Sequence, residues 1–136
     1  GVDPLEGYYG KDNLDLTGEI VSERLVDQNM KVGGVPKSDY SLIKYLSTSK
    51  QALEKVSQQL YDVLVIDGDH SFEGVKYDFE NYLAVLNSGG FVIFDDYNSV
   101  EWPDVKKFVD EEVEGREGIH FVGASWRTAV FKVEKK

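Results

Sequence analysis

Two four-residue apolar runs, Val63-Leu64-Val65-Ile66 and Phe91-Val92-Ile93-Phe94, constrain the fold more than any other feature of this chain. Neither alternates apolar with polar residues. Each therefore reads as a strand buried on both faces, the kind found in parallel sheets covered by helices. Each runs straight into acid: Asp67-Gly68-Asp69-His70 follows the first and Asp95-Asp96 the second. A carboxylate at the C-terminal end of a parallel strand lies where open α/β sheets bind their ligands. Two neighbouring strands ending this way gather several carboxylates around one small volume. Such groups repel one another unless a cation or shared protons offset the charge. A divalent metal site is the first expectation.

The remaining pattern surrounds these runs with helices. Val2 with Asp3-Pro4 reads as the last step of a strand entering a turn. Residues 15–31 are helix-like, with Leu16, Ile20, Val21 and Leu25 on one side and Gly33-Gly34 as the stop. Residues 41–46 read as a strand, and Ser49 as the N-cap of a helix carrying Leu53, Val56 and Leu60. Ser71 caps a helix in which Phe72, Val75, Phe79, Leu83 and Leu86 follow helical spacing. Asn87-Ser88-Gly89-Gly90 ends it, with a glycine for a left-handed cap. Pro103 opens a further helix with Val105, Phe108 and Val109 inward. Residues 119–123 and 129–133 form two closing strands, joined closely enough to be antiparallel. This alternation of strands and helices predicts an α/β fold.

With 136 residues, a single domain spanning 1–136 is expected. The chain has no cysteine, so neither a disulfide framework nor a thiolate metal site is available. The formal net charge of -10 disfavours nucleic acid and acidic membrane surfaces as partners. No apolar stretch approaches the length of a membrane-spanning helix, and the first residues do not resemble a signal peptide. A cytoplasmic enzyme fits these features.

The segment from Tyr61 through Val75, then Asp78-Phe79, then Gly89-Gly90 through Tyr97, resembles the class I S-adenosylmethionine-dependent methyltransferases. Within them it is most similar to the macrocin-type sugar O-methyltransferases, and more distantly to the catechol and caffeoyl-CoA O-methyltransferases. The resemblance implies a Rossmann-like sheet, mostly parallel, with an antiparallel C-terminal strand pair. It implies a magnesium ion held by Asp67, Asp95 and Asp96, and it places His70 where catechol-type enzymes carry a lysine base. It also implies that Asp3 binds the ribose of S-adenosylmethionine and that Ser49 lies where the adenine is contacted. The family's glycine-rich donor loop would lie upstream of Asp3, where this sequence has only Gly1 and Val2. The chain is therefore expected to be a partial domain lacking the first strand and helix, binding the donor weakly or not at all by itself.

Three functions compete. The first is O-methylation of a small-molecule or sugar hydroxyl. The second is a non-catalytic association domain that has lost the donor site, and a homo-oligomer is compatible with its interrupted sheet edge. The third is a receiver-type phosphotransfer domain, which needs a lysine near the acids; Lys132 lies within the last strand instead. Individual residues also carry two readings. Asp69 is a helix cap or a ligand. His70 is a general base or a surface residue at a helix start. Tyr97 and Trp102 line a substrate pocket or pack beneath a loop. His120 reads as structural, and Tyr8-Tyr9 as an aromatic flap or exposed loop.

Overall fold

A computed structural model describes residues 1–5 and 18–135 and divides the chain into two compact units, Gly1–Lys55 and Val56–Lys136. The flap residues Tyr8-Tyr9, and Leu16 of the first expected helix, lie outside the described residues.

In the first unit, helix α1 spans Glu23–Val32 and α2 begins at Lys50 (Lys50–Val56 in full). Ser22 sets the start of α1 by accepting from the Leu25 amide, so the described helix begins well after the expected residue 15. Residues 41–46 do not form the expected strand. Val2 and Ile43 make a single parallel bridge instead. Its bonds are Gly1 N to Ser41 O at 2.8 Å, Ile43 N to Gly1 O at 2.9 Å and Asp3 N to Ile43 O at 3.1 Å. The pairing stops there because Pro4 has no amide to donate and Leu5 turns into a left-handed conformation, φ 57°.

The second unit is one four-stranded sheet with helices. Strands β1 (Tyr61–Ile66), β2 (Leu86–Phe94), β3 (Ile119–Ser125) and β4 (Thr128–Val133) lie in the order β1-β2-β4-β3. The β1/β2 pair is parallel, joined through helix α3 (Phe72–Tyr82), while β2/β4 and β3/β4 are antiparallel. Helix α4 (Pro103–Phe108) runs on into a wider turn at Val109–Val113. Among the described residues no helix is long and apolar enough to cross a membrane.

The core explains why these elements form. From α3 come Val75 and Phe79, and from α4 Val105 and Phe108; they pack with Ile66, Val92, Phe94 and Phe131 from the sheet in one buried cluster. Phe79 meets Phe94 and Phe108 with ring centroids 5.7 Å apart in each case, and Phe94 meets Phe131 at 5.9 Å, within the range of favourable aromatic pairs.

Two further expectations need correction, both in the second unit. The apolar runs are buried on one face, not both: Val63 and Val65 are 49% and 58% exposed, whereas Ile66, Val92 and Phe94 are buried. Both α3 and α4 contribute to the core on the Ile66–Phe94 side, and no described element of the second unit covers Val63 and Val65 to the same degree. The second correction concerns Asn87-Ser88-Gly89-Gly90, which belongs to β2 rather than to a helix cap. Helix α3 ends at Tyr82, a short 3-10 turn follows at Leu83–Val85, and the backbone is already extended at Leu86. The glycines serve an irregular strand entry. Tyr61 pairs with Leu86 and Val63 with Phe91, so β2 carries extra residues between them. A Cβ on Gly90 would stand 2.8 Å from the Asp62 carbonyl oxygen, a contact that only glycine avoids.

Candidate metal centre

The parallel register builds the site. Ile66 pairs with Phe94, so the next residues, Asp67 and Asp95, leave the sheet side by side. The Asp95 amide still donates to the Ile66 carbonyl at 3.1 Å, extending the ladder one residue beyond the strands. Asp96 then adopts a left-handed backbone, φ 56°, a conformation in which Asp is among the better-tolerated residues.

After β1 the chain turns into α3. Asp69 accepts from the Ser71 amide at 2.9 Å, and Ser71 Oγ accepts from the Gly74 amide at 3.1 Å. Ser71 is thus the N-cap, and Asp69 supports the turn before it. Gly74 makes room for this arrangement, since a Cβ there would stand 2.4 Å from the Asp69 side chain. Gly68 is constrained too: its Cβ would stand 2.9 Å from a carboxylate oxygen of Asp78, a buried acid on α3. Neither restraint on these glycines was visible in the sequence.

This turn presents His70 inward. Its Nε2 lies 3.0 Å from Asp96 Oδ2 and 3.5 Å from Asp67 Oδ1, with the side chain only 14% exposed. The imidazole stacks on Trp102, with centroids 4.9 Å apart and planes 20° from parallel. The surface reading of His70 is therefore discarded. Trp102 lies against His70 and the core, and Tyr97 donates its hydroxyl to Asp110 at 2.8 Å while packing on the same core.

One ligand atom each from Asp67, His70 and Asp96 lies within 4.8 Å of the others. Asp95 stands beside them with Oδ1 accepting from Thr128 Oγ1 at 3.2 Å. The groups sense one another. Burial, followed by the charges of Asp95 and Asp96, pushes the Asp67 carboxyl above its ordinary range, and His70 opposes the rise. A cluster of carboxylate oxygens whose ionisation is opposed by neighbouring carboxylates fits a hard divalent cation. Among the described residues Asp67, His70 and Asp96 offer the converging ligand atoms, and Asp95 lies alongside.

Two further residues at this site escaped sequence reasoning. Arg127 binds Asp96 Oδ1 through its guanidinium and also donates to Ser99 Oγ at 2.9 Å. Thr128 holds Asp95. A signal existed in the β2/β4 register. Phe94 pairs with Ala129, so continuing the antiparallel count sets Thr128 against Asp95 and Arg127 against Asp96.

The other expected site residues are locally engaged. Asp3 Oδ1 accepts from the Leu5 amide at 2.7 Å, and Ser49 Oγ accepts from the Ala52 amide at 3.2 Å as the predicted helix cap. Lys132 pairs with Glu134 at 2.9 Å, and His120 is an exposed strand residue 3.5 Å from the same acid. The receiver reading therefore lacks its lysine. An open groove of about 420 Å³, lined by Asn98, Ser99, Val100, Pro103 and Lys106 among others, borders the loop after Asp96 but includes none of the three acids.

Comparison with known proteins agrees with this architecture. A family described as "Methyltransferase domain" matches residues 14–97, more than half of the chain. An uncharacterised protein, R132, of Acanthamoeba polyphaga mimivirus is 40% identical over 60 residues, which is 40% of this chain and 27% of that one. The O-methyltransferase NovP superposes with a TM-score of 0.73 at 20% identity, over 98% of this chain and 59% of NovP. MycE methyltransferase from the mycinamycin biosynthetic pathway, in complex with Mg, SAH and mycinamycin VI, gives a TM-score of 0.53 at 14% identity, over 76% of this chain and 34% of MycE. The chain thus spans less than two thirds of the length of each of these proteins. It belongs to the methyltransferase-domain family and has the Rossmann-like fold of the O-methyltransferases.

Proposed function

We propose that this chain is part of an S-adenosylmethionine-dependent O-methyltransferase that uses a divalent cation, magnesium by preference, and acts on a small-molecule or sugar hydroxyl. The observation that carries the reading is the convergence of Asp67, His70 and Asp96 within 4.8 Å, with Asp95 alongside. The presence of Mg in the MycE complex supports the cation, and the sequence resemblance to macrocin-type enzymes supports a sugar acceptor.

In this reading Asp67, Asp95 and Asp96 hold the cation. When bound, it lowers the pKa of the acceptor hydroxyl and helps orient it. His70 Nε2 takes the hydroxyl proton, and the ring is fixed for that task by Trp102 stacked against it. The acceptor oxygen forms a bond to the methyl carbon as the carbon–sulfur bond breaks, so the sulfonium leaves as a neutral thioether. The protein otherwise contributes position, since the displacement must be in line. Asp3 and Ser49 remain our assignments for ribose and adenine.

The test is methyl transfer by the full-length gene product from labelled S-adenosylmethionine to a panel of sugar and phenol acceptors. Activity that disappears with chelator, returns with magnesium and falls at least ~100-fold in His70→Ala supports the reading. Transfer that is indifferent to chelator overturns the cation. Absence of transfer to every acceptor, together with absence of S-adenosylmethionine binding, favours the non-catalytic association domain.

A further inference from the structure

We infer that Arg127 is a positioning residue of the metal centre: it fixes the Asp96 carboxylate so that one oxygen is neutralised by the guanidinium while the other faces His70 and Asp67. The inference rests on the cation reading above and extends it to a residue on a different strand pair.

The two oxygens of Asp96 have different partners. Oδ1 is bound by Arg127, and Oδ2 lies 3.0 Å from His70 Nε2. The Asp96 side chain is only 16% exposed, so solvent does little to set its rotation. Arg127 also donates to Ser99 Oγ at 2.9 Å, tying down the chain three residues after Asp96. Backbone bonds reinforce the tie. The Tyr97 amide donates to the Arg127 carbonyl at 2.8 Å, and Asn98 Nδ2 donates to the Trp126 carbonyl at 3.2 Å. The β3–β4 turn and the 95–99 loop are therefore stapled at four points.

Backbone conformation singles out the same two segments. In the second unit the described non-glycine residues with positive φ are Asp96 at 56° and Trp126 at 53°. A tryptophan in this region is strained, and such strain persists only where the surroundings enforce it. The left-handed residue Trp126 directly precedes Arg127, which reaches Asp96. A single guanidinium nitrogen, Nη2, serves both acceptors, Asp96 Oδ1 and Ser99 Oγ, and so ties the carboxylate to the loop that follows it. Partners that orient a metal-binding carboxylate in this way typically change metal affinity ~10- to 100-fold when removed.

The experiment is manganese binding to the whole chain, followed by electron paramagnetic resonance, at a temperature where circular dichroism shows every variant folded. Arg127→Gln is expected to weaken binding ~10- to 100-fold, and Arg127→Lys to restore part of the loss. Hydrogen exchange at the Tyr97 amide should accelerate in Arg127→Gln without metal present. Arg116→Gln, which removes an arginine paired with Glu80 elsewhere on the surface, should leave manganese affinity unchanged. A parent chain that binds manganese together with an Arg127→Gln variant that binds it equally well overturns the inference alone. A parent that binds none overturns the cation reading and this inference with it. If Arg127→Gln does not fold, Ser99→Ala takes its place: weaker binding supports the inference and unchanged binding overturns it.

Discussion

The buried face of the sheet and the crown of acids at its end are made by the same strands and solve opposite problems. On the face, Phe79, Phe94, Phe108 and Phe131 are at most 2% exposed and satisfy one another through contact alone. At the crown, Asp67, Asp95 and Asp96 crowd together although burial and mutual charge oppose the ionisation of Asp67. The core is arranged for stability. At the crown, Asp67 ionises against burial and neighbouring charge, which a bound cation would offset. Such a contrast within a few residues of one strand is a reason to read the crown as functional.

The contrast breaks most visibly in the core. Phe79→Ala should cost about 3–5 kcal/mol of unfolding free energy, since it opens a cavity among Phe94, Phe108 and the sheet. Urea denaturation checks this, and a loss below about 1 kcal/mol would mean that the packing is not as described.

At the junction between core and crown, Ser71→Ala removes the α3 cap. A loss of about 1 kcal/mol is expected, again by urea denaturation. Manganese binding should weaken as well, because the cap fixes the turn that carries His70.

In the crown the sign reverses. Asp67 has a raised folded-state pKa, so its stabilising contribution is fully present below the unfolded value of about 3.9 and is lost as pH rises through the folded value. At neutral pH the ionised group is a liability in the metal-free protein. Asp67→Asn should therefore match the parent near pH 3.5 and be more stable at pH 7 in chelator. The gain should stay below about 1 kcal/mol, given the exposure of this side chain. Adding magnesium should close the gap by stabilising only the parent.

The smallest effect belongs to a surface pair remote in chemistry from the crown. Arg116 hydrogen-bonds Glu80 and holds its carboxyl below the ordinary range. That contribution is present above the unfolded value of about 4.3 and is lost as pH falls through the folded value. Glu80→Gln should cost no more than about 0.5 kcal/mol at pH 7, and the difference from the parent should vanish in acid. Metal affinity should not change.

The sequence revealed the crown more completely than the sheet around it. The apolar runs located β1 and the second half of β2, because such runs have few alternatives to a strand. Their termination in acid located Asp67, Asp95 and Asp96, because chain order alone puts a residue at a strand end. The burial of only one face was not legible, since a wholly apolar run looks the same whether one face is covered or two. The irregular entry into β2 was missed because glycines after a helical pattern fit a cap as well as they fit a bulge. Residues 41–46 have the composition of a strand, but composition does not supply a partner. Arg127 and Thr128 required the β2/β4 register, which depends on a pairing more than thirty residues away.

The most direct test of the account is anomalous X-ray diffraction from crystals of the protein soaked in manganese. The account predicts one strong peak per chain, within about 2.2 Å of carboxylate oxygens from Asp67 and Asp96 and next to Asp95. It also predicts that the peak is lost in Asp96→Asn. A well-ordered site with no peak among these three side chains, or with manganese bound only elsewhere on the surface, would contradict it.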